Sequence, residues 1–402
     1  MTASASFPSR DPATTPVVVA CCRTAIGRAH AAKGIFRHVR GDELAAAVVR
    51  AAVERSGVAP ETIEDVVLGA TQQRGELGGN VARTVALMAG LPFTAAATTV
   101  NRLCGSSLQA LAQACHAIVA GAADVQVVGG VEHMHHLPME SAVDIHPQAL
   151  ARTSRGMLSM GLTAEQLASA HGIERRRQEE FAVVSHEKAA RAAEAGLFDE
   201  EIVRVIGHDE AGALKEAVGD QSIRRDSSLE ALADLEPVFL PRIGTITAAT
   251  SAPLSDGAAA LVVMSEAEAA RQSLEPLARV VATAVVGVPP AAMGTGPIQA
   301  TRKLLTRIAG RGISLGDIDL VELNEAFAAQ ALHCIDELGL DPARVNVRGG
   351  SLAIGHPLGA SGARIATTLL HALRDGGGRY GLATMCIGLG QGIAVLFERV
   401  GR

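Results

Sequence analysis

Apolar positions in this chain recur at helical spacing and then in short unbroken runs, and the order of these patterns repeats. Leu44, Val48, Val49 and Ala52 predict an amphipathic helix, followed by a turn across Gly57 to Pro60 and a strand at Val66, Val67 and Leu68. Residues 298–324 give the same succession: a helix with Leu304, Leu305 and Ile308, a glycine-rich turn, then a strand with Leu320, Val321 and Leu323. Ile63, Val66 and Leu68 fall on Ile318, Val321 and Leu323 at an offset of 255, and at that offset Asp124–Gly130 falls on Arg379–Met385. One offset shared by both ends of a span of roughly 90 residues predicts a duplication.

Alternation of strand and helix in each copy predicts an α/β protein of two duplicated βαβ-rich halves with mainly parallel sheets lying between helix layers. Runs such as Val17–Ala20 and Leu261–Met264 fit strands buried on both faces. We assign 17–133 and 241–275 to the first half and 276–402 to the second. Residues 134–240 interrupt the pattern: charge concentrates in ERRRQEEF at 174–181, and Phe181, Val184, Lys188 and Ala192 continue a helical face. This inserted domain is expected to roof a site formed between the halves. Residues 1–16 read as a mobile tail that lacks the apolar run of a secretory signal.

Composition narrows the function. The 402 residues are 48% hydrophobic and 19% charged, which excludes disorder, and no apolar stretch has the length of a membrane span. A net charge of -6 with 2% aromatic residues supplies neither a basic stripe nor stacking platforms, so nucleic acid is not an expected partner. Forty-two glycines imply tight turns and close backbone approaches. Six cysteines without a CxxC pair predict reduced thiols and a cytoplasmic location.

Three positions carry candidate chemistry. Cys104, in VNRLCGSSLQALAQACHAI, sits where an extended entry turns into a helix, a place that favours a thiolate and hence a nucleophile; a buried structural thiol is the alternative. His356 in GGSLAIGHPLGASGARI holds the corresponding corner of the second half, where an imidazole can accept a thiol proton. Cys386 follows GLATM and opens CIGLGQG, whose glycines expose backbone N–H groups able to hold an oxyanion.

These segments, with LNEAFAAQ at 323–330, SDGAAA at 255–260 and MGLTAE at 160–165, resemble the thiolase family over nearly the whole chain. VNRLCGSS, VGGVEHM, VDIHP and GLATMCIGLGQG resemble most the bacterial degradative 3-ketoacyl-CoA thiolases of fatty-acid oxidation. The resemblance implies the thiolase fold, a layered α/β/α/β/α core with an inserted loop domain on the CoA and acyl side. It implies CoA-dependent cleavage of 3-ketoacyl-CoA through an acyl-cysteine, by a ping-pong mechanism. It assigns the nucleophile to Cys104, the base and oxyanion donor to His356, the second acid/base to Cys386, a water-holding role to Asn324 and a backbone oxyanion donor to Gly388. Met160, Met293 and Phe327 match the acyl pocket; Arg224 and Ser251 match CoA contacts. No cofactor is implied, CoA being a substrate, and no metal: in the cluster Glu132, His133, His135 and His136, with His146 downstream, EHM at 132–134 matches relatives without a metal requirement, and adjacent histidines on a loop rarely share one ion. The partners implied are acyl-CoA and CoA, a second copy in a homodimer or homotetramer, and the hydratase/dehydrogenase subunit that degradative bacterial relatives often join.

The chain departs from the pattern in TAATSA at 247–252, where Ala249 and Ala252 replace a glycine and a pantetheine-binding serine. Leu389 stands where biosynthetic relatives carry glycine, and Glu236 replaces a common arginine. Two rival readings are a biosynthetic acetyl-CoA acetyltransferase and a non-catalytic acyl-CoA-binding subunit.

Overall fold

The duplication read from the sequence is a duplication of elements. In the computed structural model, which describes residues 11–139 and 144–401, helix α1 spans Gly41–Ser56 and strand β2 spans Asp65–Gly69, after β1 at Pro16–Thr24. Their counterparts are α6, Gly296–Ile308, and β7, Leu320–Leu323, whose first residues lie 255 further on. Strand β4, Val125–His133, has its counterpart 255 residues on in β8, Tyr380–Ile387. Helix α3, Ser106–Val119, is matched by α8, Leu358–Gly376.

The main path of the sheet adds β3 (Ala96–Val100), β5 (Ser255–Ser265), β6 (Ala278–Gly287) and β9 (Gln391–Arg399), while the two-residue strands Gly27–Arg28 and Ile202–Val203 pair beside it with β5 and β1. The strand order is β7-β8-β9-β6-β1-β5-β4-β2-β3. The expectation of mainly parallel sheets needs correction. Only β7 with β8, and β2 with β3 and β4, run parallel along this path; the five other neighbouring pairs are antiparallel. Between β8 and β9 only three residues intervene, too few for a crossover, so that pair must be a hairpin.

Helices α3 and α8 pack against each other, and each touches strands of both halves. They form a middle layer whose buried side chains, among them Leu108, Leu111, Ile365 and Leu369, share a core with Val128, Met385 and Phe397. Helix α1 covers the outer face of the first half through Leu44, Val48 and Val49, and α6 covers the second through Ile298, Leu304 and Ile308. The result is the five-layer arrangement, with both middle helices beginning at the same end of the core. Strands β1 and β5 are buried along their whole length, as expected for strands sandwiched by helices.

Two boundaries differ from the sequence reading. Of the expected tail, residues 1–10 lie outside the described residues, whereas Asp11 caps a turn over Pro12–Thr14 and Pro16 already belongs to β1. In the insertion, helices α4 (Met160–Ala170) and α5 (Arg175–Glu194) are present; of the expected face of α5, Ala192 is buried and Phe181 packs half-buried, whereas Val184 is exposed, and Ala182, Ser185, His186 and Ala189 are buried as well. Close packing selects that small-residue face: a Cβ on Gly349 would meet Ala189 Cβ and the Ser185 carbonyl, each at 2.6 Å.

Candidate active site

Each candidate side chain is held at a corner whose backbone the sequence constrains. Cys104 lies between β3 and α3. Asn101 Oδ1 accepts the Leu103 N–H at 2.8 Å, and Ser106 Oγ accepts the Arg102 N–H and donates to the Leu103 carbonyl at 2.6 Å. These bonds hold Leu103 at φ +47°, a left-handed conformation costly for a leucine. His356 lies before α8, with its N–H donated to Ser255 Oγ at 3.1 Å. Gly355 just before it has φ +119°, and a Cβ there would sit 2.5 Å from that hydroxyl. Cys386 is buried near the end of β8, ahead of a turn in which Leu389 takes φ +61°. Strained non-glycine residues therefore flank both candidate cysteines.

The duplicated corners converge. Cys104, His356 and Cys386 line one cavity of about 100 Å³, together with Gly388, Met160, Met293 and Phe327. Met134, Met139 and Ala252 complete much of its wall. A larger cleft of about 430 Å³ opens between α5 and the helix Ala328–Leu338, but it holds none of the three.

Asn324 directly follows β7 in a fully buried position, and its Nδ2 lies 3.4 Å from His356 Nε2. The other ring nitrogen, Nδ1, is 2.6 Å from Ser361 Oγ, whose own proton goes to the Pro357 carbonyl at 3.0 Å. With its proton committed there, the Ser361 oxygen accepts, so Nδ1 carries the hydrogen and Nε2 keeps a lone pair. Burial, reinforced by the charge of Arg364, pushes the His356 pKa down to about 3. The ring is therefore a neutral base.

Cys104 differs from expectation. Burial pushes its thiol up to about 11, despite opposing bonds from the Gly388 and Cys104 N–H groups. The helix terminus does not outweigh desolvation, and the resting sulfur keeps its proton. Burial raises Cys386 still further, with Cys104 close enough to add to the effect.

Beside the cavity, sharing Pro253 with it, is a cleft lined by Arg28, His186, Ser222, Arg224 and Ala249. His186 is held neutral by burial and by Arg224, with a pKa near 4, so the charges facing this cleft are the two arginines. Ser251 lines neither space; its hydroxyl donates to the Thr247 carbonyl at 3.0 Å. Sequence reasoning did not single out Ser361, Ser255, Arg28 or Met134. Ser361 had a local signal, a hydroxyl on the first turn after His356, whereas Arg28 and Met134 come from distant segments.

Among the histidines singled out, His133 and His136 meet Glu76 closely enough to suggest a metal site. Their rings, however, stack at 3.7 Å and 14°, so their lone pairs run parallel rather than converge. His136 bonds to Glu76 Oε1 and the Arg37 carbonyl, and His133 Nε2 to the Phe36 carbonyl. Glu132 points elsewhere: its carboxylate accepts the N–H groups of Thr71, Gln72 and Gly359. It thereby ties the first half to the N-terminus of α8.

With a cysteine corner and a histidine corner from the two halves facing a shared cavity, the chain belongs to the thiolase family. The thiolase N-terminal domain matches residues 16–267 and the C-terminal domain 274–399. The 3-ketoacyl-CoA thiolases of Shewanella loihica and Aliivibrio fischeri are each 51% identical over 387 residues, covering 95% of this chain and 99% of theirs. The crystal structure of the Bacillus anthracis acetyl-CoA acetyltransferase superposes with a TM-score of 0.87 at 38% identity, covering 96% of this chain and 99% of that one.

Proposed function

We propose that the chain is a 3-ketoacyl-CoA thiolase, cleaving 3-ketoacyl-CoA with CoA to acetyl-CoA and an acyl-CoA shortened by two carbons. The observation that carries this reading is the cavity shared by Cys104, His356 and Cys386. Cys104 Sγ attacks the 3-keto carbon while its proton passes to His356 Nε2, the lone pair left free by Ser361. The Cα–Cβ bond breaks, leaving an acyl thioester on Cys104 and an acetyl-CoA enolate that Cys386 protonates. The proton held by His356 restores the Cys386 thiol and leaves the imidazole neutral; CoA then enters, gives its thiol proton to that base and takes the acyl group, and the proton passes to the departing Cys104 sulfur. A high thiol pKa suits this sequence, because the proton leaves only as the carbon–sulfur bond forms.

Two oxygens become anionic on the way. Gly388 N–H and Cys104 N–H, already directed at the sulfur, are positioned for the tetrahedral centre, and the Asn324 amide, through His356 or a water, for the thioester oxygen. The methionine-rich wall supports an acyl pocket, and Arg28 with Arg224 supports a path for the CoA phosphates. No cofactor is needed for these steps. Strand β3 ends the sheet with a partly exposed edge beside Phe93, 86% exposed, which supports self-association there. No helix among the described residues is long and apolar enough to cross a membrane, and six free cysteines support a cytoplasmic place.

Incubation with a medium-chain 3-ketoacyl-CoA lacking free CoA, followed by peptide mass mapping, is expected to find the shortened acyl group on Cys104. No adduct there would overturn the mechanism. Turnover confined to the four-carbon substrate would instead favour the acetyltransferase reading.

A further inference from the structure

Behind Asn324 lies a buried chain of polar groups that the reaction does not touch. Arg364, on α8, is fully buried, and its Nη2 donates to Ser351 Oγ at 2.6 Å. The Ser351 hydroxyl lies 2.7 Å from Asn324 Oδ1, and Asn324 Nδ2 faces His356 Nε2 at 3.4 Å. Glu322 holds the far side of the guanidinium at 3.5 Å.

The order of donors in this chain has a single solution. A guanidinium only donates, so the Ser351 oxygen must accept from Arg364. Its one proton is then available for Asn324, whose carbonyl oxygen must take it. That leaves the amide NH2 turned toward the cavity. A flipped amide would set its oxygen against the His356 lone pair and deprive the serine proton of the carbonyl that now accepts it, both among buried groups. We propose that Arg364 and Ser351 are positioning residues that lock the Asn324 amide with its NH2 toward the reacting groups, through a one-way relay Arg364→Ser351→Asn324→His356. This rests on the role given to Asn324 above.

The test uses the full chain and a double-mutant cycle. Ser351→Ala is expected to lower kcat about tenfold, the size of one lost hydrogen bond, with KM for both substrates unchanged. Ser351→Thr, which keeps the hydroxyl, is expected to recover most of that loss. In an Asn324→Ala background, Ser351→Ala is expected to cost nothing further. A wild-type kcat for Ser351→Ala, or an additional loss on top of Asn324→Ala, would overturn the relay. Should Ser351→Ala fail to fold, Ser351→Cys, a weaker donor, carries the same comparison. A readout independent of turnover is the 15N shift of the His356 ring in the resting enzyme: Ser351→Ala is expected to move Nε2 and leave Nδ1 in place, and an unmoved Nε2 refutes the relay. Normal turnover by Asn324→Ala with a moved Nε2 would instead retire the catalytic role of Asn324 and leave the relay standing.

Discussion

His356 Nδ1 donates to Ser361 Oγ at 2.6 Å, and that hydroxyl donates onward to the Pro357 carbonyl at 3.0 Å, so one helix turn decides which ring nitrogen is basic. Ser361→Ala removes the acceptor and lets the proton move to Nε2. A fall in kcat of about tenfold, with KM little changed, is expected in steady-state assays.

The ionisation of the site gives a pH signature. His356 is pushed down to about 3 and Cys104 up to about 11, so between those limits the pair stays a neutral base beside a neutral thiol. The profile of kcat/KM should therefore show no step near 6.5, the ordinary histidine value. Alkylation of Cys104 by iodoacetamide, which needs the free thiolate, should instead climb steadily with pH through the range 7 to 10. The stability effect runs in a definite direction. An unfolded chain takes up the His356 proton as pH falls through 6.5, whereas the folded one does not until about 3. The stabilisation present above 6.5 is thus lost on acidification, by about 1.4 kcal/mol per pH unit within that window. Urea titrations at pH 7 and 5 should show a larger loss for the wild type than for His356→Asn.

Cys104→Ala deletes the proposed acyl acceptor. Turnover is expected to fall by at least about a thousandfold, with no acyl adduct by mass spectrometry and an unchanged circular dichroism spectrum.

Ala252 lines the cavity where a relative's serine would offer a hydroxyl. Ala252→Ser is expected to tighten CoA binding by about two- to tenfold, the worth of one added hydrogen bond, measured as KM for CoA at saturating 3-ketoacyl-CoA.

Glu132 accepts three backbone N–H groups, two from the loop after β2 and one from the start of α8. Glu132→Gln turns an NH2 toward at least one of those donors. A loss of about 2 to 4 kcal/mol in chemical denaturation is expected, because a buried N–H is left without an acceptor at the junction of the two halves.

Much of this architecture is local, which is why the sequence carried it. The periodicity of Leu44, Val48 and Val49, and its return at Leu304 and Ile308, needs only neighbouring residues to be read. The corners at Cys104 and His356 were legible for the same reason, each standing two residues before a helix. Strand direction was not legible, since whether β9 runs with or against β6 depends on partners 114 residues apart, as in Ala282 and Leu396, rather than on composition. The thiol of Cys104 was misjudged because helix position is written in the sequence and burial is not. The face of α5 was legible only in part: Ala192 and Phe181 pack inward as the periodicity predicts, while the approach of Ser185 and Ala189 to Gly349, far along the chain, is not written in apolar spacing.

Four methionines, Met134, Met139, Met160 and Met293, line the reaction cavity. Thioethers bend around acyl tails of differing length at little conformational cost, but each is also an oxidisable sulfur that becomes polar as the sulfoxide. Oxidation of that lining would therefore set polar groups beside Cys104 and Cys386, in a space that burial keeps apolar.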